Sequence, residues 1–594
     1  GKPLKDVSIA EAAMLAGLPK APSAYNPISN PKRARSRQLY IIERMVENGF
    51  ISEEQALDAK KETLKLRPAH NVERIHAEYA AEMVRQAMIT QYGEDAYTRG
   101  LVVTTSLRSE EQQAAYRALR DGVLEFERRQ IYRGPELFIT LPTEKAARED
   151  AIDDALNERP DNDDLLSAVV LEAAPRKVVV VRQDGDPIEI TGEGLRPVQS
   201  GLSDKAGPNV KLRPGAVVRI FKSSDDTWRI TQLPEVESAF VALDSHTGAV
   251  RALVGGFDFQ KNKFNHVIQA WRQPGSSFKP FIYSAALEKG LTPMTVVNDA
   301  PLFYSAGETG GKPWEPKNYD GRFEGPMSVR RALAKSKNMV SIRVLQLVGT
   351  QSAQEWVTRF GFDADKHPPY LTMALGAGSV TPMQMATGYA VFANGGYRVT
   401  PSLITKVTDH KGKVLFENEV QPPPRVIDER NAFVMSSLLQ EVTRSGTAAR
   451  AQATLKRPDL YGKTGTTNDS VDAWFVGYQP SVVAAAWFGY DTPHNLGSRE
   501  TGGGLSMPIW IDFMKVALKN VPVAEYQAPA GVINVGGEWY YEEFGPGRGV
   551  RGLGLQDPLP GMPIGNVDEN GVPVPPPAPM ADKDRRSIMD LFRN

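Results

Sequence analysis

The sequence contains no cysteine, which excludes disulfides, thiolate zinc sites, iron–sulfur clusters and a cysteine nucleophile. A chain without Cys survives oxidising and reducing surroundings alike, so the compartment stays open. Net charge is also missing: 70 Lys and Arg stand against 71 Asp and Glu, a formal balance of −1. Nothing global therefore recruits a polyanion, and nucleic acid is not expected as a partner. No apolar run is long, since the best candidate, Val482 to Phe488, falls far short of the ~20 residues a membrane span requires. The histidines (70, 76, 246, 266, 367, 410, 494) form no H-x-x-x-H or H-E-x-x-H pattern, so no metal and no other cofactor is expected. An initiator Met, a basic n-region and an apolar h-region are absent as well. Gly1 to Asp6 runs straight into the amphipathic pattern Ile9 to Leu15, as in a chain that starts inside a domain.

The length of 594 residues implies about four domains at roughly 150 residues each. Residues 1–65 read as short Pro-punctuated helices, with Ser8 as an N-cap. Residues 66–165 read as a linker with helical and strand-like parts, including a helix from Ser109 to Phe126 with a capping-box pattern at Ser109 and Gln112. Residues 166–235 break into short β-runs separated by turns: Ala168 to Leu171, Lys177 to Val181, Ile188 to Ile190, Ala216 to Ile220 and Trp228 to Ile230. Five such strands suggest a small OB-like β-barrel. Only Phe221 and Trp228 supply aromatics there, so it reads as a spacer or protein-docking barrel rather than a nucleic-acid binder. Residues 236–520 mix strands with long helices, as an α+β domain with an antiparallel sheet does. In residues 521–594, the stretch Gly545 to Pro579 holds 8 Gly and 9 Pro in 35 residues, a composition that reads as mobile chain or an extended strap. The basic run Lys32 to Arg37 reads as a solvated helix face.

Three short motifs carry chemistry. Ser276-Ser277-Phe278-Lys279 fits S-x-x-K, and helical i, i+3 spacing puts the amine on the same face as a hydroxyl that needs a base. Ser29-Asn30-Pro31-Lys32 fits too, but Pro31 and its loop surroundings argue against it. Gly275 before Ser276 permits a tight turn, and Pro280 is tolerated where a helix has just begun. Ser336-Lys337-Asn338, an S-x-N between two helical stretches, offers a hydroxyl relay and an amide; the bland alternative is a polar helix–helix turn. Lys463-Thr464-Gly465-Thr466 is the most specific of the three. A phosphate loop is excluded because the Gly that it requires five residues before Gly462 is Arg457.

The order S-x-x-K, S-x-N, K-T-G is that of penicillin-binding proteins and class A β-lactamases. With Arg272 to Pro280, Ala374 to Gly378, Phe392 to Gly396, Ser445-Gly446-Thr447 and Asp472 to Gly477, the chain resembles the class A penicillin-binding proteins, the bifunctional synthases of peptidoglycan. The resemblance implies a multi-domain α+β chain: a penicillin-binding, serine β-lactamase-like transpeptidase domain (antiparallel sheet with flanking helices), an OB-like barrel and an α/β linker. It implies that Ser276 is the acylated nucleophile, Lys279 its base, Ser336 a proton relay and Asn338 the holder of the donor peptide. Lys463 tunes the site electrostatically, Thr464, Gly465 and Thr466 bind the substrate carboxylate, and the N–H groups of Ser276 and Thr466 form the oxyanion hole. The implied activity is DD-transpeptidation, with a DD-carboxypeptidase or β-lactamase, or a non-enzymatic β-lactam sensor or scaffold, as alternatives. The implied partners are peptidoglycan stem peptides, β-lactam antibiotics and cell-wall regulatory proteins docking on the barrel. The implied location is the periplasm, with the full-length protein anchored in the inner membrane. Residues 9–27 resemble the end of the family's glycosyltransferase domain, whose catalytic Glu and membrane anchor are expected upstream of Gly1, so no glycan polymerisation is expected from this chain. One departure is His266, where Arg is commoner in similar sequences.

Overall fold

The computed structural model describes residues 3–22, 25–28, 30–66, 75–183, 186–223, 226–309, 312–555, 566–567 and 573–574. Ser29, and most of the Gly/Pro-rich tail beyond 555, lie outside the described residues. Ser8 caps the first helix in a full capping box with Glu11. Among the described residues no helix is long and apolar enough to cross a membrane.

The small barrel forms where the short β-runs were expected. Its strands are Leu166–Ala174, Lys177–Val181, Pro187–Thr191, Ala216–Lys222 and Trp228–Thr231, all antiparallel. Alternate residues such as Val178, Val180, Val218 and Ile220 fill its interior. The barrel also takes in chain read as linker. Leu137–Phe138 adds an edge strand, and Ile152 and Leu156 of the helix Lys145–Glu158 cover Val169, Val181 and Val217. Two residues of strand are too short to show a period, which is why the sequence does not announce them. Arg33 pairs with Asp150 and Asp153 of that same helix, so the basic run is a docking contact rather than only a solvated face.

The larger domain is built on a five-stranded antiparallel sheet in the order Tyr461–Thr466, Asp472–Gln479, Val482–Gly489, Glu237–Asp244, Val250–Val254. We name these in chain order β1 (Glu237–Asp244), β2 (Val250–Val254), β3 (Tyr461–Thr466), β4 (Asp472–Gln479) and β5 (Val482–Gly489). Every residue of β4 and β5 is buried, because helices cover both faces and strand alternation then exposes neither side. Phe475 meets Trp510 of one helix, whereas Tyr478, three residues on and so facing oppositely, bonds Ser436 of another. The helix Ser109–Glu127, read from sequence as connector, packs on this sheet. Glu111 forms a buried ion pair with Arg251 (2.8 Å), and Gln112 exchanges hydrogen bonds with the Leu253 backbone at 2.7 and 2.8 Å. Gln112 is thereby engaged away from the helix start, which has no side-chain cap.

Residues 550–554 of the Gly/Pro-rich segment form a strap. Gly552–Leu553 pairs in parallel with the strand Val296–Asp299, Thr295 Oγ1 donates to Val550 O at 2.8 Å, and Asn298 Nδ2 donates to Gly554 O at 3.0 Å.

Candidate active site

The turn holding Ser276 is pinned from several sides. Gly275 adopts φ +55, and a Cβ there would lie 2.7 Å from Thr466 O. Gly376, at φ +72, presses as closely from the other side, where a Cβ would fall 2.1 Å from Gly275 O. Arg272 reaches the buried Asp472 at 2.7 Å, and Trp474 Nε1 donates to Gln273 O at 2.8 Å, tying the approach segment to β4. Tyr389 OH donates to Ser277 O at 2.5 Å. A short 3₁₀ turn, Gly275–Phe278, then becomes helix α1 (Lys279–Leu287), in which every residue is buried. Ser276 stays half-buried, and its Oγ has no hydrogen-bond partner among the described residues.

Lys279 is fully buried, and its Nζ turns to the second motif rather than to Ser276. Nζ donates to Ser336 O at 2.8 Å, Ser336 Oγ at 3.2 Å and Asn338 Oδ1 at 2.7 Å. Spacing of i, i+3 guarantees a shared face, not a hydrogen bond, and the denser set of acceptors on the Ser336 turn takes the donor. Ser336 sits at φ +60, a strained conformation for a residue with a side chain, between helical stretches. Asn338 begins helix α2 (Asn338–Val348).

Lys463, also fully buried, donates to the same hydroxyl, Ser336 Oγ, at 2.8 Å, and to Thr464 O at 3.1 Å. One hydroxyl thus receives both lysines. Burial above all, and next the charge of Lys463, push Lys279 well below the ordinary lysine value, while Asp299 opposes the shift. Burial pushes Lys463 down to about 7.

The K-T-G segment is the edge strand β3. Gly465 is required because a Cβ would come within 2.5 Å of Pro274 O and 2.9 Å of Ser277 Oγ, so this strand can lie against the Ser276 turn only with glycine there. Thr467 N donates to Asp472 O at 3.1 Å. Ladder alternation therefore turns the N–H of Thr466 outward, away from β4. Thr464 Oγ1 lies 2.7 Å from Thr447 Oγ1, and Thr466 Oγ1 accepts from Gly502 N at 3.1 Å. Gly446 admits Thr447 to this position, since a Cβ on it would meet Ala334 O at 2.4 Å.

Ser276, Ser336, Asn338, Thr464 and Thr466 line one cleft of about 790 Å³, of a size that takes a small peptide or drug-like ligand. Sequence reasoning singled out none of the wall formed by residues 314–320, nor Asn468 and Asp469, although Thr467, Leu375, Gly376 and Ala377 belong to stretches that carried the resemblance. The S-x-N motif gives its middle residue, Lys337, no role. That residue is 2% exposed and pairs with Asp299, Asp320 and Glu324 at 3.4, 3.1 and 3.1 Å. His266, the departure noted above, is buried, bonds Gly255 O and Asp491 Oδ1 at 2.6 Å each, and stacks on Trp487.

Three family models match the chain: the penicillin-binding protein transpeptidase domain over residues 238–515, the penicillin-binding protein OB-like domain over 132–236, and the transglycosylase over 1–46. The OB-like match begins at Tyr132, which joins the barrel core, and takes in the extra edge strand and helix. Penicillin-binding protein 1A of Neisseria flavescens is 45% identical over 549 residues, covering 91% of this chain and 68% of that protein. The Pseudomonas aeruginosa protein of that name is 40% identical over 90% of this chain and 71% of its own length. The crystal structure of penicillin-binding protein 1A from Haemophilus influenzae superposes with a TM-score of 0.78 at 33% identity, covering 92% of this chain and 87% of that one. Three motifs converging on one cleft, an OB-like barrel beside them and kinship of this extent lead to one conclusion: the chain belongs to the class A penicillin-binding proteins, in their 1A branch.

Proposed function

We propose that this chain cross-links peptidoglycan stem peptides through an acyl-enzyme on Ser276 and that β-lactams are trapped at the same hydroxyl. The observation that carries the reading is the convergence of Lys279 and Lys463 on Ser336 Oγ beside the unpartnered Ser276 Oγ. Ser276 Oγ attacks the carbonyl carbon of the penultimate D-Ala and gives its proton to neutral Lys279. The N–H groups of Ser276 and Thr466 receive the oxyanion as it forms. The C–N bond then breaks, and the departing D-Ala amine takes a proton relayed through Ser336. The amine of a neighbouring stem attacks the ester, loses a proton along the same route and frees Ser276. Lys463, Thr464, Gly465 and Thr466 hold the terminal carboxylate, and Asn338 holds the donor peptide once its amide is released from Lys279. We place the chain at the outer face of the inner membrane, in the periplasm, and read the barrel as a docking site for cell-wall regulatory proteins.

The test is product analysis with a pentapeptide donor and an amine acceptor. Cross-linked product, with D-Ala released in equal amount, is expected. D-Ala release with no cross-link at any acceptor concentration would replace this reading with a DD-carboxypeptidase.

Two further results are expected. The acylation rate constant should climb with pH and level off below the ordinary lysine range, since burial and the charge of Lys463 hold Lys279 low and the base must be neutral to accept a proton. A rate still climbing above about pH 9 would mean that neither lysine is depressed. Excision of residues 132–236, joined by a short linker, should leave penicillin labelling intact, because all three motifs lie outside the barrel. A smaller cut of 166–232 would strand Leu137–Phe138 and uncover Ile152 and Leu156. A folded excision variant that no longer labels would make the barrel part of the site.

A further inference from the structure

The Ser336–Asn338 turn is held from behind by a segment that no motif marks. Asn318 is 4% exposed. Its Oδ1 accepts from the backbone N–H of Asn338 at 2.8 Å and, at longer range, of Met339 at 3.4 Å. These N–H groups open helix α2 and have no partner within it. Lys337, at the capping position, makes no side-chain cap, so Asn318 does that work from twenty residues upstream. Its orientation is forced. Nδ2 donates to Asp299 Oδ1 at 2.7 Å and to Arg322 O at 2.7 Å. The Asp299 carboxylate only accepts, so the amide must turn its NH₂ there and its oxygen to the helix.

Asp299 is itself fully buried; it accepts from Glu324 N at 2.9 Å and faces Lys337 Nζ at 3.4 Å. The adjoining Lys317 O accepts from Asn338 Nδ2 at 2.7 Å, which leaves Asn338 Oδ1 to face Lys279 at 2.7 Å. The chain of contacts therefore runs from Asp299 through Asn318 and the start of α2 to the groups that receive Lys279.

We propose that Asn318, clamped by the buried Asp299, is a positioning residue that sets Ser336 and Asn338 against Lys279 and Lys463 for acyl transfer. The proposal rests on the reading of Ser276 as the acylated residue.

The experiment follows acylation by a fluorescent penicillin over time. The rate constant reports the geometry of folded molecules, and the amplitude reports how many are folded. Asn318→Asp sets a second carboxylate against Asp299 with no donor between them, and its rate constant is expected to fall about 10²-fold, the scale of an ångström's misplacement. The exchange Asn318→Asp with Asp299→Asn restores one donor and one acceptor across the pair and should recover the rate constant to within about tenfold of wild type. If Asn318→Asp fails to fold, Asn318→Ala, which removes the cap without adding charge, should slow the rate constant about tenfold or more. A role in stability alone lowers amplitude and thermal midpoint and leaves the rate constant unchanged. That outcome in Asn318→Ala, with wild type labelled on Ser276, overturns the proposal. Wild type not labelled on Ser276 overturns instead the reading on which it rests.

Discussion

Lys279→Ala is expected to slow acylation of Ser276 by about 10⁴-fold, the upper end of what general-base assistance supplies. Two losses combine. The proposed base disappears, and Ser336 O and Asn338 Oδ1 lose the donor that holds them at 2.8 and 2.7 Å, so the turn carrying the proposed proton relay is no longer fixed. Lys279→Arg should not rescue, because a guanidinium stays charged at any working pH and accepts no proton. Time-resolved labelling of the folded variant with a fluorescent penicillin measures this directly. A rate within tenfold of wild type would mean that Lys463 or solvent is the base.

Lys337→Ala, in contrast, is expected to act mainly on stability. By motif logic alone the middle residue of S-x-N has no assigned role and its loss should be mild. The structure corrects that for the fold. The side chain is 3% exposed against an Asp299 side chain that is 0% exposed, and removing one partner of a buried pair leaves an uncompensated charge at a cost of about 3–5 kcal/mol. Unfolding of the larger domain, followed by tryptophan fluorescence, should show a lower midpoint, and Asp299→Asn added to Lys337→Ala should return part of the loss. The acylation rate constant of molecules that remain folded should fall less than in Lys279→Ala. The cluster also gives a pH signature. Lys335 and Lys337 hold Glu324 down to about 2, below its unfolded value, so its contribution is present above the ordinary glutamate range and is lost as pH falls through about 2. Lys337→Ala should weaken that acid dependence. An unchanged midpoint would mean that the ion cluster contributes nothing net.

The difference between these two lysines shows what a sequence makes legible. Ser276, Lys279, Ser336, Asn338, Lys463, Thr464, Gly465 and Thr466 stand out because their types and order match the family's three motifs, and the fold sets Ser276, Ser336, Asn338, Thr464 and Thr466 along one cleft, with Lys279 and Lys463 buried against Ser336 Oγ. The bonding partner of Lys279 does not stand out, since helical spacing fixes a direction and not an acceptor. Lys337 is ambiguous for a related reason: its three carboxylates come from positions 299, 320 and 324, and no local pattern joins them to it. Asn318 is a lone amide in a loop, and only the folded chain reveals that it caps a distant helix. The barrel strands showed in their β-branched runs, whereas the helix Ser109–Glu127 showed its amphipathic face without naming the sheet it would cover. Legibility thus follows range: local periodicity and reactive residue types read well, and long-range pairing of ordinary polar groups does not.

The most direct test is the intact mass of the chain after exposure to a β-lactam, followed by mapping of the modified peptide. The opened ring keeps its leaving amine tethered where an acceptor would approach, so the ester should persist for minutes or longer. One adduct per molecule is expected, located on Ser276, absent in Ser276→Ala and retained in Ser29→Ala. An adduct on Ser29, or one that turns over as fast as it forms, would contradict a transpeptidase acting through Ser276.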